Sequence, residues 1–220
     1  MPMFTSIVLS ALFTFGLLLC ITLFAFRNQL TNTITLADMK YCERQIRNKY
    51  RTYTEDTREI NSANNVDALN IDKLAKCLSL QMEVVSESSL PEGVRAYLDA
   101  APKSSGCNGV VRYACNGEKD YESNFDLIHE IMHYLNDVGA GKQVTKSFAR
   151  LYHGNRRGYH EQMIDYYAAA VAIPKESLQE RIRLFNGNPY DDCFVSKLSD
   201  VYKQPKETII RRIGEVMALS

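Results

Sequence analysis

The chain has 220 residues, with 26 basic and 26 acidic side chains and 45% hydrophobic residues. Zero net charge argues against a broad nucleic-acid-binding surface, and this hydrophobic content excludes a chain too polar to fold. The sequence carries no internal repeat and no low-complexity run, and its length suffices for one domain with a real core beyond the N-terminal segment.

Residues 1–26 contain no charged side chain, and Ile7 to Phe26 is a run of 20 mostly apolar residues. At 1.5 Å per residue, about 20 helical residues cross the ~30 Å hydrocarbon core of a bilayer. The run therefore predicts a transmembrane helix within residues 5–26, with residues 7–26 in contact with the membrane. A cleaved signal peptide is the rival reading. The missing basic n-region, the length of the run and the lack of an A-x-A cleavage site favour a retained single-pass anchor. Nothing basic precedes the run, whereas Arg27, Lys40, Arg44 and Arg47 follow it. The positive-inside tendency then places the rest of the chain on the cytoplasmic side. Cysteine usage agrees: Cys20 lies in the apolar run, and Cys42, Cys77, Cys107, Cys115 and Cys193 are odd in number and scattered, as in a reducing compartment.

Residues 27–62 read as a linker carrying an amphipathic helix, since Leu36, Met39, Cys42, Ile46, Tyr50 and Tyr53 recur every three or four residues. Its apolar face can pack on the domain, pair with a partner or lie on a membrane, and packing is the simplest of the three. Asn61 to Asn65, rich in Asn and Ser, marks a linker or cap. The remaining 63–218 form the expected globular domain. It opens with a helix at Ile71 to Leu78, and Leu80 to Val85 then alternates as a strand does. Gly109 to Cys115 reads as a second strand, closed by the turn-like Asn116-Gly117. As an edge strand it can hold an extended peptide by main-chain hydrogen bonds.

A helix follows, with Ser123 and Asn124 as N-cap candidates and Asp126 in its first turn. Phe125, Ile128, Met132 and Leu135 form its apolar stripe, and Gly139 and Gly141 end it. On this helix His129-Glu130-Ile131-Met132-His133 reads H-E-x-x-H. Residues four apart share a helix face, so His129 and His133 can present two imidazoles to one zinc ion while Glu130 acts on a water beside it. A catalytic zinc site takes three protein ligands and leaves one position for water. The best third ligand is Glu161, on a further helical run that stops near Pro174. Asp165 lies four residues on, placed to orient a zinc-bound histidine from behind. His160 competes as a ligand, but its side chain leaves the helix about 100° from that of Glu161. The longer pattern H-E-x-x-H-x-x-G-x-x-H is excluded by Asn136 and Gly139. Tyr152, His153, Tyr159 and His160 are candidate donors to an oxyanion, and the sequence does not choose among them.

Three segments together resemble the ImmA/IrrE-type zinc metallopeptidases. Phe125 to Leu135 is similar to that family's F-T-[LI]-A-H-E-L-G-H-L-L pattern, Glu161 to Pro174 to its E-x-x-A-[ND]-x-F-A-x-x-L-L-M-P pattern, and Leu198 to Ile213 to its closing segment. Ile71 to Leu78 looks like its opening helix. Met132 and Ile164 depart from the family, being larger than its usual Gly and Ala, and so does the membrane anchor. The resemblance implies an α+β, zincin-like metallopeptidase domain, a small sheet plus several helices, preceded here by one transmembrane helix. It implies Zn²⁺ as cofactor and hydrolysis of a protein substrate, with helix-turn-helix repressors of mobile elements or stress responses as the expected class.

Two other readings stand beside it. Leu198 to Leu219, with Lys197, Lys203, Lys206, Arg211 and Arg212, could form a DNA-binding regulator of helix-turn-helix type, or simply a helical pair completing the core. A non-catalytic membrane-tethered zinc-binding sensor is the other, although structural zinc sites are usually closed by Cys or His.

Overall fold

A computed structural model describes residues 33–55, 57–61, 66–99, 106–117, 120–138, 148–151 and 158–220. The apolar run at 7–26 lies outside them, as do Tyr152, His153, Gly139 and Gly141. Among the described residues no helix is long and apolar enough to cross a membrane.

The chain starts with α1 (Leu36–Gln45), capped by Thr35 and Asp38 in a reciprocal capping box. It runs through a π-helical turn, Ile46–Tyr50, into α2 (Arg51–Glu55). The hairpin β1 (Arg58–Asn61) and β2 (Val66–Leu69) stands apart from the main sheet. Next come α3 (Ile71–Cys77), β3 (Leu80–Val84), β4 (Val94–Asp99) and β5 (Gly109–Tyr113). Then α4 (Tyr121–His133) is prolonged by a π-helical turn, Tyr134–Val138, and β6 (Phe148–Leu151) precedes α5 (Tyr159–Ala172). Three helices close the described chain: α6 (Lys175–Phe185), α7 (Asp192–Tyr202) and α8 (Lys206–Ala218). The expected mixed α+β architecture is present.

The main sheet has the order β3-β5-β4-β6. Strand β5 runs parallel to β3 and antiparallel to β4, so it is interior and not the edge strand expected from the sequence. That expectation missed β4, where Val94, Ala96 and Leu98 are buried and Arg95, Tyr97 and Asp99 between them are half-buried. Gly109 opens β5 where the strands approach closely, since a Cβ there would lie 3.2 Å from the Asp99 carbonyl oxygen.

Helix α4 lies on the sheet and α5 lies against α4. Every residue of α4 from Phe125 to His133 is buried, because the helix has neighbours on all sides. The expected stripe of Phe125, Ile128, Met132 and Leu135 is within the core, as are the larger-than-usual Met132 and Ile164. The helix begins earlier than expected. Asp120 is its N-cap, accepting from the Ser123 amide at 3.0 Å. Ser123, expected as a cap, lies inside the helix and donates its hydroxyl to the Ala114 carbonyl at 2.7 Å. Asp126 falls past the first turn and pairs with Arg95 of β4 at 3.2 Å.

The helix of the supposed linker packs on the domain. Cys42 and Tyr50 belong to the hydrophobic core, the Tyr166 hydroxyl of α5 donates to Glu43 at 2.8 Å, and Tyr50 donates to Asn136 at 2.9 Å. Glu43 also accepts from Arg212 Nη2 of α8 at 2.6 Å. Arg212 is fully buried, bonded besides to the Ile173 carbonyl and to Glu215. One of the cations of the supposed DNA reader is therefore consumed inside the core, and α7 and α8 pack as the helical pair. Replacing Arg212 by Met takes the buried cation away from Glu43 and leaves Glu215 with Arg211 alone, so urea denaturation is expected to show a loss of about 3–5 kcal/mol. The cysteines at 42, 77, 107, 115 and 193 form no disulfide with one another.

Candidate metal centre

His129 and His133 sit one turn apart near the end of α4, and Glu161 sits in the first turn of α5. Burial of α4 between the sheet and α5 forces both imidazoles toward α5, and each is only 1% exposed. His129 Nε2 lies 3.3 Å from Glu161 Oε2, and His133 Nε2 lies 3.4 Å from Glu161 Oε1. The two Nε2 atoms are 3.1 Å apart. The structure thus brings together the three residues that the sequence singled out as ligands.

The outer nitrogens explain why the inner ones converge. Asp165, one turn beyond Glu161 on α5, places Oδ1 2.9 Å from His129 Nδ1. Asp137, in the π-helical turn one turn beyond His133, places Oδ2 3.1 Å from His133 Nδ1. A histidine that donates its Nδ1–H to a carboxylate keeps an unshared pair on Nε2. Two such pairs and a carboxylate, all at little more than 3 Å, repel one another unless a cation lies between them. Tetrahedral ligands about 2.0–2.1 Å from zinc are about 3.3–3.4 Å apart, close to the three separations here. The donor set, two imidazoles and a carboxylate, suits zinc. Burial disfavours the Glu161 anion, but the imidazoles of His129 and His133, when they carry a proton on the facing Nε2 in place of a metal, outweigh it and hold the carboxyl well below the usual range.

Glu130 points from α4 toward β4. Its Oε2 accepts from the Leu98 amide at 3.1 Å, and its Oε1, also buried, has no hydrogen-bond partner among the described residues. Burial, with the Glu161 charge nearby, pushes its carboxyl up to about 8 against the pull of His129 and of the Leu98 amide. Glu130 thus presents a buried carboxyl with one unpartnered oxygen beside the cluster of His129, His133 and Glu161.

The remaining candidates separate. His160 does not join the Glu161 triangle: its Nε2 lies 3.0 Å from Asp137 Oδ2, and its half-exposed ring is 5.7 Å from that of His133. Tyr159 faces α1 and hydrogen-bonds to Asp38, which raises its hydroxyl to about 12, so its contacts lead away from the triangle. The sequence reading missed Asp137, although it stands four residues after His133 on the same face, the signal that had singled out Asp165 behind Glu161. It also missed Leu98, whose amide steadies Glu130; a backbone contact from a distant strand leaves no mark in a local pattern.

A two-histidine, one-carboxylate cluster on two packed helices is a donor set that can hold a metal ion. The chain belongs to the peptidase family of the IrrE N-terminal-like domain, whose model matches residues 78–213. That span runs from the turn before β3 to α8 and contains His129, Glu130, His133, Glu161 and Asp165. No curated protein matches the chain significantly.

Proposed function

We propose that the protein is a zinc-dependent endopeptidase that cleaves a protein substrate, held at a membrane by its N-terminal apolar run with the catalytic domain on the cytoplasmic side. The observation that carries the reading is the triangle of donors on His129, His133 and Glu161, each histidine backed by its own carboxylate. The anchor and its orientation rest on the sequence alone. A helix-turn-helix repressor is the proposed substrate, in keeping with the family resemblance.

Bound zinc would supply Lewis acidity, lowering the pKa of a water and polarising the scissile carbonyl. The protein's own residues do the rest. Glu130, fixed through Oε2 by the Leu98 amide, takes a proton from the attacking water through Oε1 and returns it to the amine as the C–N bond breaks. Asp165 and Asp137 hold the two imidazoles in register. Of the two oxyanion candidates among the described residues, Tyr159 and His160, the contacts of His160 support it better, since Asp137 ties it to the cluster. With Nε2 held against Asp137, the other ring nitrogen of His160 is the one left to face a developing oxyanion. His160→Ala is then expected to lower kcat by about 10²–10³-fold with little change in KM; a fall in KM-dependent binding alone would assign His160 to substrate contact.

The direct test incubates the full chain with helix-turn-helix repressors and reads the products by mass spectrometry. A discrete cut that needs zinc and disappears on chelation supports the reading. Cleavage that survives thorough chelation would overturn it.

A further inference from the structure

Arg211 of α8 reaches both metal-bearing helices. Its Nη2 donates to the Asp165 carbonyl at 3.2 Å, and its Nη1 lies 3.9 Å from Asp165 Oδ2. Its guanidinium carbon stands 5.5 Å from the centroid of the Phe125 ring, one turn before His129 on α4. The Phe125 ring lies in turn 6.5 Å from that of His129. Glu215, one turn further along α8, is 3.5 Å from Arg211 Nε and limits where the side chain can go. Arg211 thus touches α5 through Asp165 and α4 through Phe125, and both contacts lead to one imidazole, that of His129.

We propose that Arg211 is a positioning residue for the metal centre: it sets how firmly zinc is held by fixing the Asp165 carboxylate behind His129. This rests on the zinc reading given above. Asp165 is 5% exposed and carries a charge that water does not screen well. Its Oδ1 must stay on His129 Nδ1 if Nε2 is to keep facing Glu161. The guanidinium offers the other carboxylate oxygen a cation and the backbone a donor, a two-point hold that the planar fork of Arg makes and a flexible Lys does not. Partners one step behind a metal ligand usually govern affinity by about 10–100-fold. The three-residue chain Arg211–Asp165–His129 spans α8, α5 and α4, so the C-terminal helix takes part in the site without contributing a ligand.

The test is a double-mutant cycle on zinc affinity, measured in the full chain by competition with a chromophoric chelator. Arg211→Met keeps the length of the side chain and its cover over Phe125 while removing the charge and the donors. It is expected to weaken zinc binding by about 10–100-fold, and Arg211→Lys by an intermediate amount. Asp165→Asn is expected to weaken binding on its own, and Arg211→Met added to Asp165→Asn should cost little more, because both act through one contact. Circular dichroism of the metal-free proteins confirms that each variant is folded, and Arg211→Lys serves if Arg211→Met is not. Zinc affinity of a folded Arg211→Met within twofold of wild type would overturn the proposal, and so would fully additive losses in the double variant. Failure of the wild-type chain to bind zinc would instead overturn the metal centre itself, a separate outcome visible in the first titration.

Discussion

Replacing Glu130 by Gln is expected to lower kcat by about 10²–10⁴-fold while zinc content stays unchanged. The substitution is nearly isosteric, and the Gln carbonyl oxygen still accepts from the Leu98 amide that now holds Oε2 at 3.1 Å. Fold and ligands are therefore left intact, and only the capacity to take a proton is removed. Glu130 is buried and does not belong to the triangle of donors, so its loss should separate chemistry from metal binding. Turnover measured beside elemental analysis checks both halves. A variant that turns over at the wild-type rate would remove Glu130 from the mechanism, and one that loses its metal would make Glu130 part of the site's structure.

The second large effect is expected from Glu161→Ala. Glu161 faces both histidines, at 3.3 Å and 3.4 Å, and is the only carboxylate from α5 in the triangle. Without it the cluster is two imidazoles on one helix, and zinc should be lost on gel filtration. Thermal stability reports the same loss independently. A ligand that binds only the folded state stabilises it by about 4 kcal/mol when present at about a thousand times its dissociation constant. Wild type should therefore melt higher with zinc than with chelator, and Glu161→Ala should melt at the same temperature in both. A variant that keeps both its zinc and its zinc-dependent stabilisation would place the third ligand elsewhere.

Much of this site was legible in the chain. The four-residue step from His129 to His133 and the one from Glu161 to Asp165 each specify a helix face, and the structure turns those faces toward each other. What was not legible came from contacts between elements. Ser123 and Asn124 are good capping residues, but so is Asp120, and the choice depends on Ala114 accepting the Ser123 hydroxyl. Strand β4 alternates only weakly because Ala96 is small and Tyr97 is amphipathic. Missing it made β5 look like an edge, whereas β4 covers it and supplies the Leu98 amide to Glu130. Asp137 obeyed the same four-residue rule as Asp165 yet went unread, since it lies in a π-helical turn just before the glycines that seemed to end the helix. Arg211 and Arg212 looked alike in the sequence. One reaches Asp165 behind His129, and the other is buried between Glu43 and Glu215.

The most direct measurement of the central claim is the metal content of the full chain together with the X-ray absorption spectrum of the bound ion. The expected result is close to one zinc per chain, with two imidazole nitrogens and carboxylate or water oxygen at about 2.0–2.2 Å and no sulfur shell. A folded chain purified without chelator that holds no metal, or one whose zinc is ringed by sulfur, would contradict the metal centre of His129, His133 and Glu161.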